Sequence, residues 1–124
     1  ILFFSFFTLS CKAENELTME RGTYFYKHNN YNEAANQFNK VILSYPKNTS
    51  LIKTKGLEIL AHSYRQLSLC QSKLALQSDS QDGREMYFKN ALKNIEKAMV
   101  LATKPNKRQE YQKTFIGIKN QINF

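Results

Sequence analysis

Between Ala13 and Gln121 the apolar residues of this chain recur at steps of three and four, and the residues that stop helices fall between those runs. Five helices are predicted. The first runs from Glu14 to His28, with Leu17, Tyr24 and Phe25 as its apolar contacts and His28-Asn29-Asn30 as its stop. In the second, Asn30 and Glu33 stand at capping-box spacing, and Tyr31, Ala34, Phe38, Val41 and Tyr45 form one face that ends at Pro46 and Asn48. The third, Leu51 to Gln77, carries a seam of Leu57, Leu60, Tyr64, Leu67 and Leu74, the pattern of a paired-helix contact. The fourth is expected to open at Asp82, again with a glutamate three residues on, and to reach Ala102 with Phe88, Ala91, Ile95 and Ala98 inward. Pro105 and Asn106 separate it from a fifth, Lys107 to Gln121, whose apolar stripe and polar back suit a terminal cap. With four Gly, two Pro and no Trp, a turn-rich barrel, a glycine-rich phosphate loop and a disordered linker are all disfavoured. At 124 residues and 42% hydrophobic composition the chain can bury one modest core.

The segment before this domain has a different character. Residues 1–10 carry four Phe and no charge, the composition of a signal-peptide apolar region, and the run is shorter than the roughly 20 residues a membrane-spanning helix needs. A greasy N-terminal helix of the domain is the other reading. Thr8-Leu9-Ser10-Cys11 resembles a bacterial lipobox, which implies acylation of Cys11, a short tether over residues 11–13 and a single domain from 14 to 124. Cys70 is then the one other cysteine, set on an apolar helical stretch where a buried, inert thiol is expected. No metal site or disulfide framework has ligands to draw on, and no cofactor is implied.

Gly22, Phe25, Ala34, Phe38, Val41 and Pro46 stand at mutual spacings of three, nine, four, three and five, which resembles the tetratricopeptide repeat. The spacing has a mechanical reason: Gly22 and Ala34 let two helices approach, Phe25 and Phe38 fill the gap, and Pro46 stops the second helix. In the next unit Leu57, Leu60, Ala61 and Tyr64 match the first-helix pattern and Ala91, Ile95 and Ala98 the second. Twenty-seven residues separate Tyr64 from Ala91 where the family leaves nine, so both arms of that hairpin are lengthened into a protruding paired-helix arm. The fold expected is all-α, about two tetratricopeptide-like hairpins plus a C-terminal capping helix; an unrelated four- or five-helix bundle is the alternative.

The lipobox, the short tether and the run Tyr31-Asn32-Glu33-Ala34-Ala35-Asn36-Gln37-Phe38 through Ser44-Tyr45-Pro46 together resemble the BamD family of outer-membrane β-barrel assembly lipoproteins, in a shortened form. That resemblance implies a non-enzymatic scaffold on the periplasmic face of the outer membrane, with a BamA-like β-barrel assembly protein as partner. A tetratricopeptide lipoprotein that binds exported peptides or unrelated envelope proteins is the alternative, and a surface adhesin a remote third.

Catalytic constellations are not legible here. His28 suits a helix C-cap, and no nucleophile, acid and base converge with His62 in the sequence pattern. Tetratricopeptide geometry implies a concave binding face lined by the first helices. It maps onto Glu16, Met19, Thr23, Tyr26 and Lys27 in the first unit and onto Lys55, Glu58, His62 and Arg65 in the second. An ordinary solvated face is the competing reading. Lys89, Lys93 and Lys97 form a basic stripe opposite the inner face of the fourth helix, suited to anionic lipid or an acidic domain, or simply a solvated surface. The formal charge of +8 permits such contacts, while nucleic acid is not expected, because no recognition motif accompanies the charge.

Overall fold

The structure, a computed structural model, describes residues 2–122, and their side chains from Glu14 onward. Among the described residues five α-helices follow one another: α1 (Leu2–Lys27), α2 (Tyr31–Leu43), α3 (Thr54–Gln77), α4 (Gln81–Leu101) and α5 (Pro105–Ile122), with a 3-10 turn at Thr49–Leu51. Each helix packs on its successor, and α3 also meets α5. The result is two tetratricopeptide-like hairpins and a capping helix, with α1, α3 and α5 in one layer and α2 and α4 in the other.

Local chemistry sets the boundaries. Asn29 takes φ 62°, and the turn closes as a Schellman motif: the Asn29 N–H donates to the Tyr26 carbonyl (3.1 Å) and the Asn30 N–H to the Phe25 carbonyl (2.9 Å). His28 caps the same helix end, its Nδ1 2.8 Å from the Tyr24 carbonyl oxygen. Asn30 then caps α2, its side chain accepting from the Glu33 N–H. The reciprocal half of the expected capping box is missing, because the Schellman turn has already taken the Asn30 N–H.

Four expected starts move, the first being that of α1, which opens at Leu2 rather than at the expected Glu14. Residues 49–51 form their own 3-10 turn, capped by Asn48 Oδ1 from the Ser50 N–H (3.2 Å), so α3 opens at Thr54 and not at Leu51. Helix α4 is capped by Ser80, whose Oγ accepts from the Gly83 N–H at 3.0 Å, and Asp82 lies inside the first turn. Pro105 is the first residue of α5 rather than a separator, a position where its missing N–H costs nothing.

Two clusters make the core. Ala34 and Phe38 of α2 pack with Leu67 and Cys70 of α3, while Ala61 and Ala75 of α3 pack with Phe88, Ala91, Ile95 and Ala98 of α4 and with Tyr111 and Ile118 of α5. Helix α3 is therefore shared between two neighbours. Its leucine seam at Leu67 faces α2, and the close contact with α4 runs along small residues. Buried Ser63, Ser68 and Ser72 return their hydroxyls to the carbonyls of Ile59, Arg65 and Leu69. Of the three apolar contacts expected of α1, Phe25 packs, whereas Leu17 and Tyr24 are exposed at 48% and 58%; Met19 and Tyr26 pack in their place. The eighteen extra residues of the second hairpin do lie in both helices: α3 runs on to Gln77 beyond Tyr64 where α1 stops at Lys27 just past Phe25, and α4 opens at Gln81 well before Ala91 where α2 opens at Tyr31 just before Ala34. The arm does not stand alone, because Gln121 and Ile122 of α5 line one recess with Leu76 and Phe88 near its tip.

Candidate binding groove

Side chains of α1 and α3 leave an open recess of about 690 Å³ between them. Glu16, Met19, Thr23 and Lys27 form its α1 wall, and Glu58 and His62 its α3 wall, so six of the nine expected groove residues converge there. Ser63 Oγ, 3.1 Å from Met19 Sδ, holds the floor together. A second recess of about 280 Å³ continues past Glu58 and His62 to Lys104, Lys107 and Tyr111 at the start of α5. One trough thus crosses all three helices of the layer.

The remaining three expected residues lie elsewhere. Tyr26 is turned into the α1, α2 and α3 packing, its ring 5.3 Å from that of Tyr31. Burial raises its phenol above the ordinary value. Lys55 borders a separate recess of about 370 Å³ with Tyr45, Pro46 and Ile59, at the start of α3. Arg65 is committed to α5: its Nε donates to Thr114 Oγ1 at 3.2 Å, and its guanidinium lies 3.9 Å from Glu110. Glu20, Tyr24 and Ile59 line the groove without having been expected there. The ring of Tyr24 lies 4.1 Å from that of His28 at a tilt of 30°, which keeps it on the surface.

The walls differ in charge. Glu16 and Glu20 stand with Lys27 on the α1 side, and Lys104 and Lys107 on the α5 side. Glu58 sits between them, its Oε1 accepting from Thr103 Oγ1 (3.4 Å) and lying 3.5 Å from Lys104 Nζ. Glu110 is held below the usual carboxylate range, chiefly by the hydrogen bond from Lys107 at 3.2 Å. Burial, then the charges of Arg65 and Lys107, push the His62 imidazole below its ordinary value, only partly opposed by Glu110. A neutral imidazole at pH 7 presents one donor and one acceptor, the complement of a peptide group.

The other expected sites are accounted for as follows. Cys11 lies outside the residues whose side chains are described. Lys89, Lys93 and Lys97 are all exposed on the outward face of α4, with Glu96 interleaved and Lys97 Nζ 5.3 Å from the centre of the Tyr64 ring. Cys70 is fully buried, and burial pushes its thiol up to about 12, the state of an inert packing residue. Among the described residues, no helix is long and apolar enough to cross a membrane.

No protein-family model matches the chain, and no curated protein matches it.

Proposed function

We propose that this protein is a non-enzymatic scaffold of the outer-membrane β-barrel assembly machinery, anchored through acylated Cys11 and holding its partner polypeptide in the trough across α1, α3 and α5. The observation that carries the binding half of this reading is the convergence of Glu16, Met19, Thr23, Lys27, Glu58 and His62 on one recess. These positions belong to two hairpins, and the stacking of one hairpin on the next brings them together. An apolar floor at Met19 and Ile59, oppositely charged walls and a neutral His62 suit a segment of chain that offers backbone hydrogen bonds and a few anchoring side chains. The assembly half is supported by the lipobox-like Thr8-Leu9-Ser10-Cys11 and by the run from Tyr31 to Pro46 that resembles BamD.

Affinity isolation of the full-length protein from detergent-solubilised native membranes, followed by mass spectrometry, tests both halves. A β-barrel protein with periplasmic domains, recovered in near-stoichiometric amount and lost from a Glu20→Lys, Tyr24→Ala variant, is the expected result. Both side chains are exposed, so this variant keeps the fold. Recovery of exported peptides and no barrel protein would replace the assembly role with a peptide-capturing one. Equal recovery by the variant would remove the groove from the reading.

A further inference from the structure

The three most exposed large hydrophobic side chains among the described residues are Val100 (82%), Leu43 (74%) and Leu51 (72%). They come from the end of α4, the end of α2 and the 3-10 turn before α3, and antiparallel packing brings all three to one end of the bundle. Contacts fix that end. Asn15 Nδ2 donates to Ser44 Oγ at 3.2 Å, a Cβ on Gly56 would lie 3.2 Å from the Tyr45 ring, and Thr103 reaches Glu58.

The two turns at this end have an unusual charge. Residues 44–55 and 102–108 contain Lys47, Lys53, Lys55, Lys104, Lys107 and Arg108 and no Asp or Glu. Lys104 and Lys107 are paired with Glu58 and Glu110, and Arg108 donates to the Ala102 carbonyl. Lys47, Lys53 and Lys55 are exposed and form no ion pair among the described residues. Glu14, Glu16 and Glu96 are the acidic residues left near this end, on helices rather than on the turns, and Glu16 lines one recess with Leu51, Lys53 and Lys55 without an ion pair to either lysine. Both aspartates of the chain, Asp79 and Asp82, lie at the opposite end, at the α3–α4 turn.

We infer that this end of the bundle is a docking surface for a phospholipid bilayer carrying anionic headgroups. Leu43, Leu51 and Val100 enter the interface, and Lys47, Lys53 and Lys55 lie among the phosphates. Exposed aliphatic side chains beside unpaired lysines are the combination that interfacial binding uses, since each lysine adds attraction to an anionic leaflet and the apolar groups add burial. Charge complementarity selects the occupant: a protein partner of ordinary surface would leave the lysines without counter-charge. The inference goes beyond the scaffold role and does not depend on acylation of Cys11. It also leaves the Lys89 to Lys97 stripe running away from the bilayer along α4.

The absence of Trp from the chain makes a direct test available. Single Trp probes at Leu51→Trp, Val100→Trp and, as far-end control, Met86→Trp are placed in the full chain carrying Cys11→Ala, with the fold checked by circular dichroism. On addition of vesicles of phosphatidylcholine with phosphatidylglycerol, emission is expected to shift to the blue and become quenchable by brominated lipid at 51 and 100 and to stay unchanged at 86. In flotation at low salt, Lys47→Gln, Lys53→Gln, Lys55→Gln together should lower affinity by about a hundredfold, at roughly fivefold per lysine. No shift at 51 and 100, an equal shift at 86, or unchanged affinity of the triple variant would overturn the proposal. The proposed partner in the groove plays no part in these readouts, so failure here leaves the scaffold role standing, and failure there leaves this surface standing.

Discussion

Gly22 of α1 and the ring of Phe38 of α2 occupy one space: a Cβ built on Gly22 would lie 2.6 Å from a Phe38 ring carbon. Phe38 is fully buried between Ala34, Leu67 and Cys70, so its ring has nowhere to retreat. Gly22→Ala gains about 1 kcal/mol of helix propensity, and overpacking costs about 1–3 kcal/mol. The expected outcome is a net loss of about 1 kcal/mol in urea unfolding. Gly117, in α5, has no neighbour within 4 Å of the same added atom. Gly117→Ala is expected to stabilise by about 0.5–1 kcal/mol, and the opposite signs of the two substitutions are the check.

That close approach is legible in the sequence, because Gly22, Phe25, Ala34 and Phe38 stand at a spacing that resembles the tetratricopeptide hairpin. The second hairpin was harder to read. Counting large aliphatic residues put the α3–α4 contact on Leu67 and Leu74, whereas the α4 side of α3 runs along Ala61 and Ala75, with buried Ser68 and Ser72 between them. Small residues carry little hydrophobic signal, yet they set how near two helices come. In the groove, the resemblance to tetratricopeptide repeats implies the α1 residues, and Glu16, Met19, Thr23 and Lys27 do share one wall. Arg65 and Tyr26 do not join them, because their fates depend on Thr114 of α5 and Tyr31 of α2. Tyr24, expected among the apolar contacts of α1, lies outside with its ring against that of His28.

The start of α4 lies ahead of the expected Asp82 because two residues compete to cap it, and Ser80 wins. Ser80 Oγ accepts the Gly83 N–H at 3.0 Å, and Glu85 is engaged by Gln81. Ser80→Ala is expected to cost about 1 kcal/mol, the usual worth of an N-cap. Asp82→Ala should cost only a few tenths, the contribution of a first-turn acid to the helix dipole. Thermal unfolding of the two variants distinguishes them, and the larger loss at Asp82 would restore the cap expected from the sequence.

Arg65 ties the capping helix to the centre of the domain through Thr114 Oγ1 at 3.2 Å and the Glu110 carboxylate at 3.9 Å. Its side chain is 23% exposed, so solvent screening limits the ion pair, and Arg65→Ala is expected to cost about 1 kcal/mol. The loss should be local. Amide exchange in the part of α5 around Glu110 to Ile118 is expected to accelerate, with α2 unchanged. Arg65→Lys should behave like the alanine variant, since an ammonium cannot reproduce the guanidinium fork.

His62 makes stability depend on pH in a window set by its own titration. Burial and the neighbouring Arg65 and Lys107 lower its folded-state value below the ordinary 6.5, so between the two values the unfolded chain binds the proton and the folded one does not. Stability therefore rises with pH through that interval and is lost as pH falls below about 6.5. Urea unfolding at pH 7.5 and 5.5 is expected to show a drop in the wild type that His62→Gln reduces. An equal drop in both would assign the dependence to other groups. The same titration acts on the groove: below the window His62 becomes a cation beside Lys107 and Arg65 and loses its acceptor, so a peptide held there through a neutral imidazole should be released as the protein loses stability.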